Sequence, residues 1–543
     1  MTARFTESYW PADVRTELVE LTVGGLLREA AAEVPEGVAL VAGVPVAAER
    51  RRWTYAELLA DSERTARALA GRFAPGERVA VWAPNVPEWL LLEFGAALAG
   101  LTLVTVNPAL RRDEVRHVLS QSRCSGVLFT EEFRGNPMRE TIAGLLGELP
   151  LIREAVGLSG FETFLAGGDA TAVLADVFPS DPVQIQYTSG TTGVPKGALL
   201  HHRGIVNNAR FVVDRAGFED GGVWVDPMPL FHTAGCVLSA LGALWRRGTH
   251  VLVPAFDPAL VLELLEAERG TILIGVPTML IAVLDHPDFP RRDLSSVNAA
   301  LSGGAPVPAE LVRRVESSLG CPFSIVFGQT ELAPTVTQTR LEDTPADQAE
   351  TIGQPLPHVE VKVADPVTGA VLPIGEQGEI CARGYQVMLG YFDMPEATAE
   401  TIDADGWLHT GDLGTMDERG YFRVTGRLKD MIIRGGENIY PREIEDLLFT
   451  HPAVAEAAVL GIPDALWGEQ VGVVIRAADP GRPPTPGELH DFCRAHLAPQ
   501  KTPTLWYLAD AFPLTASGKI QKFVLRERAA AGELPRLQEP VSP

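Results

Sequence analysis

From residue 78 to residue 327 the chain alternates short apolar runs with segments of helical apolar spacing. Runs at 78–82, 101–106, 126–129, 183–187, 223–226, 249–252, 272–275, 297–301 and 323–327 read as strands. Helical segments at 56–71, 87–99, 112–121, 202–216, 233–245, 258–268, 278–285 and 309–319 separate them, and 18–34 has the same spacing. Strands that are apolar throughout are buried on both faces, and a helix between consecutive strands is the usual parallel crossover. The order therefore predicts α/β architecture, with parallel sheets covered by helices. At 543 residues the chain exceeds one hydrophobic core, so more than one domain is expected.

The texture changes at residue 352. Between there and residue 426, short alternating runs at 359–363, 378–383 and 421–424 are separated by Gly, Pro and Asp, which predicts a small β-rich subdomain. Beyond residue 430 a helix at 439–449, strands at 454–461 and 470–477, a helix at 484–497 and a strand at 504–508 make a separate α+β unit. The expected boundaries are 1–426 for the large N-terminal domain, 427–430 for a linker, 431–530 for the C-terminal domain and 531–543 for a disordered tail.

One loop stands out chemically. Between the runs at 183–187 and 198–200 lie Thr188, Ser189, Gly190, Thr191, Thr192, Gly193, Val194, Pro195, Lys196 and Gly197. Glycines let backbone N–H groups turn toward a ligand, successive N–H groups make an anion-binding concavity, and the hydroxyls and the ammonium add to it. The composition fits a polyphosphate. The spacing of Gly193 and Lys196 is not that of a Walker A loop.

The net charge of −24 argues against nucleic acid or an anionic membrane as a partner, so an anion site must concentrate positive charge locally. Only six of the 46 basic residues are lysine (Lys196, Lys362, Lys429, Lys501, Lys519, Lys522). In a chain that otherwise uses arginine, a lysine inside a motif marks a place for a compact ammonium. Five scattered cysteines without a CxxC fit a reducing compartment, the cytoplasm, and no structural zinc. The longest apolar stretch, 89–106, is broken by Glu93 and Gly100 and reads as helix then strand, not a membrane span. Adjacent His201 and His202 diverge and read as a helix start rather than a zinc site.

The run Thr188-Ser189-Gly190-Thr191-Thr192-Gly193-Val194-Pro195-Lys196-Gly197 resembles the phosphate-loop signature of the adenylate-forming superfamily, which holds acyl- and aryl-CoA synthetases, carrier-loading adenylation domains and luciferases. From residue 26 to residue 519 the chain resembles a stand-alone acyl-CoA synthetase. The resemblance implies a mobile C-terminal domain and, as ligands, ATP, Mg²⁺, coenzyme A and a carboxylic acid.

Other segments carry the same resemblance. Gly303, Gly304 and Ala305 follow a strand; alone they read as an ordinary turn, and by resemblance they flank adenine. Phe327, Gly328, Gln329, Thr330 and Glu331 end the next strand, with Phe327 for stacking, Thr330 on a phosphate and Glu331 on Mg²⁺. The family often has tyrosine where this chain has Phe327, so a phenol hydrogen bond is lost. Taken alone, Glu331 reads as a helix-start carboxylate, and the Mg²⁺ role is what the resemblance implies. Asp412 sits on a Gly turn and reads as a turn aspartate or, by resemblance, as the ribose contact with Arg427. Lys429 falls on the family hinge and Lys519 on the catalytic lysine. Gly435, Gly436 and Glu437 fall on the wall of the pantetheine tunnel, and Trp467 stacks on the CoA adenine or packs in the core.

His232 lies where the family gates its acyl pocket. With Thr233, Ala234, Gly235, Gly304, Ala305, Ala333 and Pro334 it outlines that pocket by resemblance. Ala234, Gly235, Ala305 and Ala333 are small or apolar, and there is no Asp in 231–235 to anchor an ammonium, which fits a medium- or long-chain or bulky polycyclic acid, a secondary-metabolite or sterol-derived one included, better than acetate or an amino acid. The expected activity is acyl-AMP formation with pyrophosphate release, followed by transfer to CoA thiol. The alternatives are an acyl-AMP ligase that loads a carrier protein, a catalytically inactive nucleotide-binding module and a luciferase-like oxygenase. Gly436 favours CoA, and Lys519 with Glu331 argues against an inactive module.

Overall fold

The computed structural model describes residues 4–169, 172–188, 195–435, 437–464, 466–514 and 520–538. It is an α/β protein with three sheets in its N-terminal part and a fourth beyond residue 430.

The first sheet has seven strands in the order Gly390–Tyr391, Lys196–His201, Pro182–Thr188, Thr102–Val106, Arg78–Trp82, Gly126–Phe129 and Glu154–Gly157. The last five run parallel, and Lys196–His201 is antiparallel to both of its neighbours, Pro182–Thr188 and Gly390–Tyr391. The second has nine: Gln354–Pro355, Thr335–Gln338, Phe323–Gly328, Ala299–Gly303, Ile272–Ile274, Val223–Asp226, Thr249–Leu252, Val38–Ala42 and Arg52–Thr54. Its six inner strands, from Phe323–Gly328 to Val38–Ala42, are parallel. The helices Val23–Glu33, Tyr55–Ala70 and Pro87–Leu98 share one apolar cluster with residues of both sheets. The last of these is buried on every side from Trp89 to Leu98, which is why it lacks a polar face. Gly95 lets it approach Tyr55–Ala70, since a Cβ there would come within 2.6 Å of Thr65.

The third sheet is antiparallel: Tyr9–Trp10, Val359–Ala364, Gly378–Gly384, Leu408–Met416 and Phe422–Arg427. The fourth joins Glu437–Ile439, Ile432–Arg434, Gly468–Ala477 and Val454–Asp464, with Leu505–Leu508 parallel to Gly468–Ala477.

Several elements depart from the sequence reading. The first helix begins at Val23, where the Thr22 side chain accepts from Gly25 N. The segment expected as one α-helix over 233–245 is a π-helix, Ala234–Leu241, followed by a short α-helix, Gly242–Trp245. The Ser239 hydroxyl donates to Ala234 O inside the wide turn. The helix Lys522–Ala530 was not anticipated. The expected disordered tail is ordered through residue 538, because Leu508 N donates to Pro535 O, Leu537 N donates to Trp506 O, and Leu534 is buried.

Candidate active site

Two of the motifs lie side by side because the parallel strands that carry them end on one side. In open α/β sheets, ligands bind beyond the carboxyl ends of the strands. The turn at Gly303, Gly304 and Ala305 and the segment Phe327–Gln329 leave neighbouring parallel strands whose partners are Gly303 and Val326. Close backbone approach explains the glycines. A Cβ on Gly303 would lie 2.3 Å from Val326 O, and one on Gly328 would lie 1.9 Å from Pro334 O. Thr330 and Glu331 occupy a 3-10 turn that ends at Ala333, whose φ is 59°, and both are buried.

The edge strand Gly390–Tyr391, absent from the sequence reading, ties the phosphate-loop hairpin to this turn. Leu389 N and Phe392 N donate to Leu199 O and Gly197 O, and Met388 N donates to Glu331 O at 2.9 Å. The Tyr391 hydroxyl donates to Glu331 Oε1 at 2.7 Å. Lys196 Nζ lies 5.0 Å from the centroid of the Tyr391 ring. Burial and the Glu331 carboxylate push the Tyr391 phenol well up. Asn208 grips the same turn from behind, giving Nδ2 to Thr335 O and receiving Thr335 N. Thr188 and Lys196 bracket the loop. Ser189, Gly190, Thr191, Thr192 and Gly193 lie outside the described residues.

Asp412 and Arg427 face each other on adjacent strands, with Arg427 Nε 2.6 Å from Asp412 Oδ1. Asp412 is buried, and its charge raises the Arg427 pKa, with Asp430 and Glu331 adding to the effect. The Glu331 and Asp412 motifs therefore share one electrostatic neighbourhood.

Of the residues expected to line the acid pocket, His232, Thr233, Ala234 and Gly235 follow strand Val223–Asp226. Asn85, which sequence reasoning missed, holds the following loop. Its Nδ2 donates to Met228 O at 2.8 Å and Val253 O at 3.0 Å, and its Oδ1 accepts from Leu230 N at 2.8 Å. Buried Asp226 accepts from Met228 N and faces His250 Nε2 at 2.9 Å. His232 Nδ1 accepts from Ala234 N at 3.1 Å. Gly235 is required by contact, since a Cβ would lie 2.5 Å from Pro229 O. Ala234, Met279 and Phe327 pack on one apolar cluster containing Met228, Val276 and Leu332. Thr233, Ala333 and Pro334 are buried, and Gly304 is exposed.

Lys429 sits in the 3-10 turn Leu428–Asp430, directly after Arg427 and ahead of the C-terminal unit. Gly435, with φ 59°, lies against Trp467, and Arg434 Cζ is 5.1 Å from that ring. Trp467 is 44% exposed, so it is not a core residue. Glu437 is exposed, and Gly436 and Lys519 lie outside the described residues. Three other lysines have protein partners: Lys501 pairs with Glu443, Lys522 with Glu445, and Lys362 lies over Trp407. The histidine pair is structural. The His201 ring accepts from Gly204 N as a helix cap, and His202 accepts from Val23 N with its pKa pushed down to about 3 by burial.

The sequence profile of the AMP-binding enzyme family matches residues 27–392, and that of the AMP-binding enzyme C-terminal domain matches residues 443–519. The chain is 39% identical to the putative acyl-CoA synthetase YngI of Bacillus subtilis, over 94% of this chain and 98% of that protein. It is 36% identical to the human mitochondrial medium-chain acyl-CoA ligase ACSF2, over 96% of this chain and 89% of that one. The fold superposes on ATP-bound MatB from Rhodopseudomonas palustris with a TM-score of 0.86 and 31% identity, covering 94% of this chain and 99% of MatB.

Proposed function

Because the chain belongs to the AMP-binding enzyme family, with acyl-CoA synthetases among its relatives, we propose that it joins an apolar carboxylic acid to coenzyme A through an acyl-AMP intermediate. The observation that supports the reading is the contact of Lys196 and Glu331 with Tyr391, beside the buried Asp412–Arg427 pair whose guanidinium feels the Glu331 charge.

In the first step the acid's carboxylate oxygen attacks the α-phosphorus of ATP, and the bond to the bridging oxygen breaks to release pyrophosphate. Such transfers depend on positioning and charge neutralisation. Lys196 and the loop from Thr188 hold the leaving phosphates, and Thr330 contacts the α-phosphate. Asp412 accepts from the ribose hydroxyls. Gly303, Gly304, Ala305 and Phe327 to Gln329 border the adenine. Lys519 bridges the attacking carboxylate and the phosphate. Glu331 suits a magnesium ion, since it is a buried carboxylate with one oxygen held by Tyr391, and Mg²⁺ takes one or two carboxylates beside substrate phosphates. A magnesium ion bound there would neutralise phosphate charge.

In the second step the C-terminal unit turns about Lys429. The CoA thiol, delivered past Gly435, Gly436 and Glu437 and beside half-exposed Trp467, attacks the acyl carbonyl, and AMP leaves. The acid lies beside His232, Thr233, Ala234, Gly235, Ala333 and Pro334. The apolar side chains of Ala234, Ala333 and Pro334 and the medium-chain ligase among the relatives favour a medium-chain acid. Five buried free thiols fit a reducing compartment, the cytoplasm.

The test of substrate class is AMP release from MgATP and CoA over straight-chain acids from acetate to palmitate and a set of polycyclic acids. We expect the highest kcat/KM for medium-chain acids and little turnover of acetate. Highest activity with acetate or an amino acid would contradict the pocket reading.

A further inference from the structure

Strand Leu408–Met416 does not run regularly beside Gly378–Gly384. Glu379 pairs with Leu413 and Cys381 with His409, so a single residue, Ile380, faces Thr410, Gly411 and Asp412. Asp412 lies in this bulge, and on the opposite side of its strand it pairs with Arg427. A bulge leaves backbone N–H groups without ladder partners, and here side chains take them. Glu379 Oε1 accepts from Gly411 N at 2.9 Å, where φ is +70°. Thr410 Oγ1 accepts from Asp412 N at 3.1 Å while donating to Ile380 O at 2.7 Å. The other Glu379 oxygen lies 2.8 Å from His409 Nδ1, and His409 Nε2 faces Asp403 Oδ2 at 3.6 Å. Glu379 is itself buried.

Glu379, Cys381 and His409 also place three potential metal donors within 4.8 Å of one another. The cluster needs no ion, because both Glu379 oxygens and both His409 nitrogens already face protein partners. A fully partnered carboxylate bonded to the backbone of the bulge has a different consequence.

We infer that Glu379 is a positioning residue for Asp412: by binding Gly411 N and His409 together it fixes the bulge that aims Asp412 at the nucleotide sugar. The inference rests on the reading of Asp412 as the ribose contact. It assigns a role in nucleotide selectivity to a residue of the neighbouring strand that acts through Gly411 N and His409.

The experiment compares kcat/KM for ATP and for 2′-deoxy- and 3′-deoxy-ATP in acid-dependent pyrophosphate exchange. The variants are Glu379→Ala, Glu379→Gln, Asp412→Ala and the Glu379→Ala/Asp412→Ala pair. A ratio of two substrates on one preparation is independent of how much of it is folded. Asp412→Ala should reduce the preference for ATP, and Glu379→Ala should reduce it by roughly tenfold, the size of losing one hydrogen bond to a charged group. The pair should lose no more than Asp412→Ala alone. Glu379→Gln should retain most of the preference, since its amide oxygen still accepts from Gly411 N. If Glu379→Ala does not fold, Glu379→Asp, one methylene shorter, should show the same loss.

Wild-type selectivity in Glu379→Ala or Glu379→Asp, with selectivity lost in Asp412→Ala, would overturn the inference and leave the ribose reading intact. Undiminished selectivity in Asp412→Ala would overturn the ribose reading, and the inference with it.

Discussion

Tyr391 gives its hydroxyl to the Glu331 carboxylate at 2.7 Å, and through this bond the sheet that carries the phosphate loop is fastened to the turn that carries Thr330 and Glu331. The two motifs are far apart in sequence and sit on different sheets. A two-residue strand brings them together.

Tyr391→Phe keeps the ring beside Lys196 and removes only the bond to Glu331. Changing a group that orients a metal-binding carboxylate typically costs tenfold to hundredfold in metal affinity. The apparent Mg²⁺ constant in ATP-dependent adenylate formation should therefore rise by about that factor, with a smaller change in the KM of the acid. A titration of MgCl₂ at fixed ATP measures it, and an unchanged Mg²⁺ constant would separate Glu331 from the metal.

The two half-reactions should respond to different lysines. Lys519→Ala should abolish adenylate formation from acid and ATP yet leave thioester formation from supplied acyl-AMP. Lys429→Pro, which fixes φ in the 3-10 turn after Arg427, should slow thioester formation more than adenylation. Separate assays of each half-reaction check both. Equal losses in the two halves would remove the assignment of the lysine concerned.

Asn85→Ala leaves three buried backbone groups of the Met228, Leu230 and Val253 segments without their partner. The expected cost is about 2–4 kcal/mol of stability, from several unsatisfied groups at once. Because these bonds hold the loop ahead of His232, the KM of the acid should rise while that of ATP changes little. Denaturant melts and initial rates would show it, and an ATP effect of equal size would place the loop elsewhere.

Much of the fold was legible because strands buried on both faces are apolar over most of their length. The runs at 78–82, 126–129 and 223–226 have the bounds the sequence implied. The π-helix was not legible. Residues 234–245 are apolar almost throughout, so no polar face reports the helical period, and the wide turn depends on a Ser239 hydroxyl bond and on contact between Gly235 and Pro229. Tyr391 was missed because a two-residue edge strand has no periodicity to read. Asn85 and Glu379 act on backbone groups that are distant in sequence and leave no local pattern. The ordered tail rests on Leu534 and Leu537, two apolar residues within a polar, Pro-containing segment.

Acid should weaken one edge of the seven-stranded sheet. Glu77 receives Arg153, Ser125 Oγ and Ala74 N, and chiefly the Arg153 guanidinium lowers its carboxyl from the usual 4.5 to about 2. A depressed carboxyl contributes stability that is fully present above its unfolded value and lost as pH falls through the folded one. Between about pH 4.5 and about pH 2 the contribution should disappear, on the order of 1–2 kcal/mol after screening of the half-exposed Arg153. Melts of wild type and Glu77→Gln should differ near neutral pH and converge in acid. A constant difference would contradict the assignment.

The central claim is a two-step reaction that ends on CoA. The most direct test is acid-dependent AMP release from MgATP, measured with and without CoA on the same medium-chain acid. Pyrophosphate exchange should proceed without CoA, and multiple-turnover AMP release only with it. Acid-dependent pyrophosphate release to which CoA adds nothing would contradict the thioester step and make a carrier protein the acceptor.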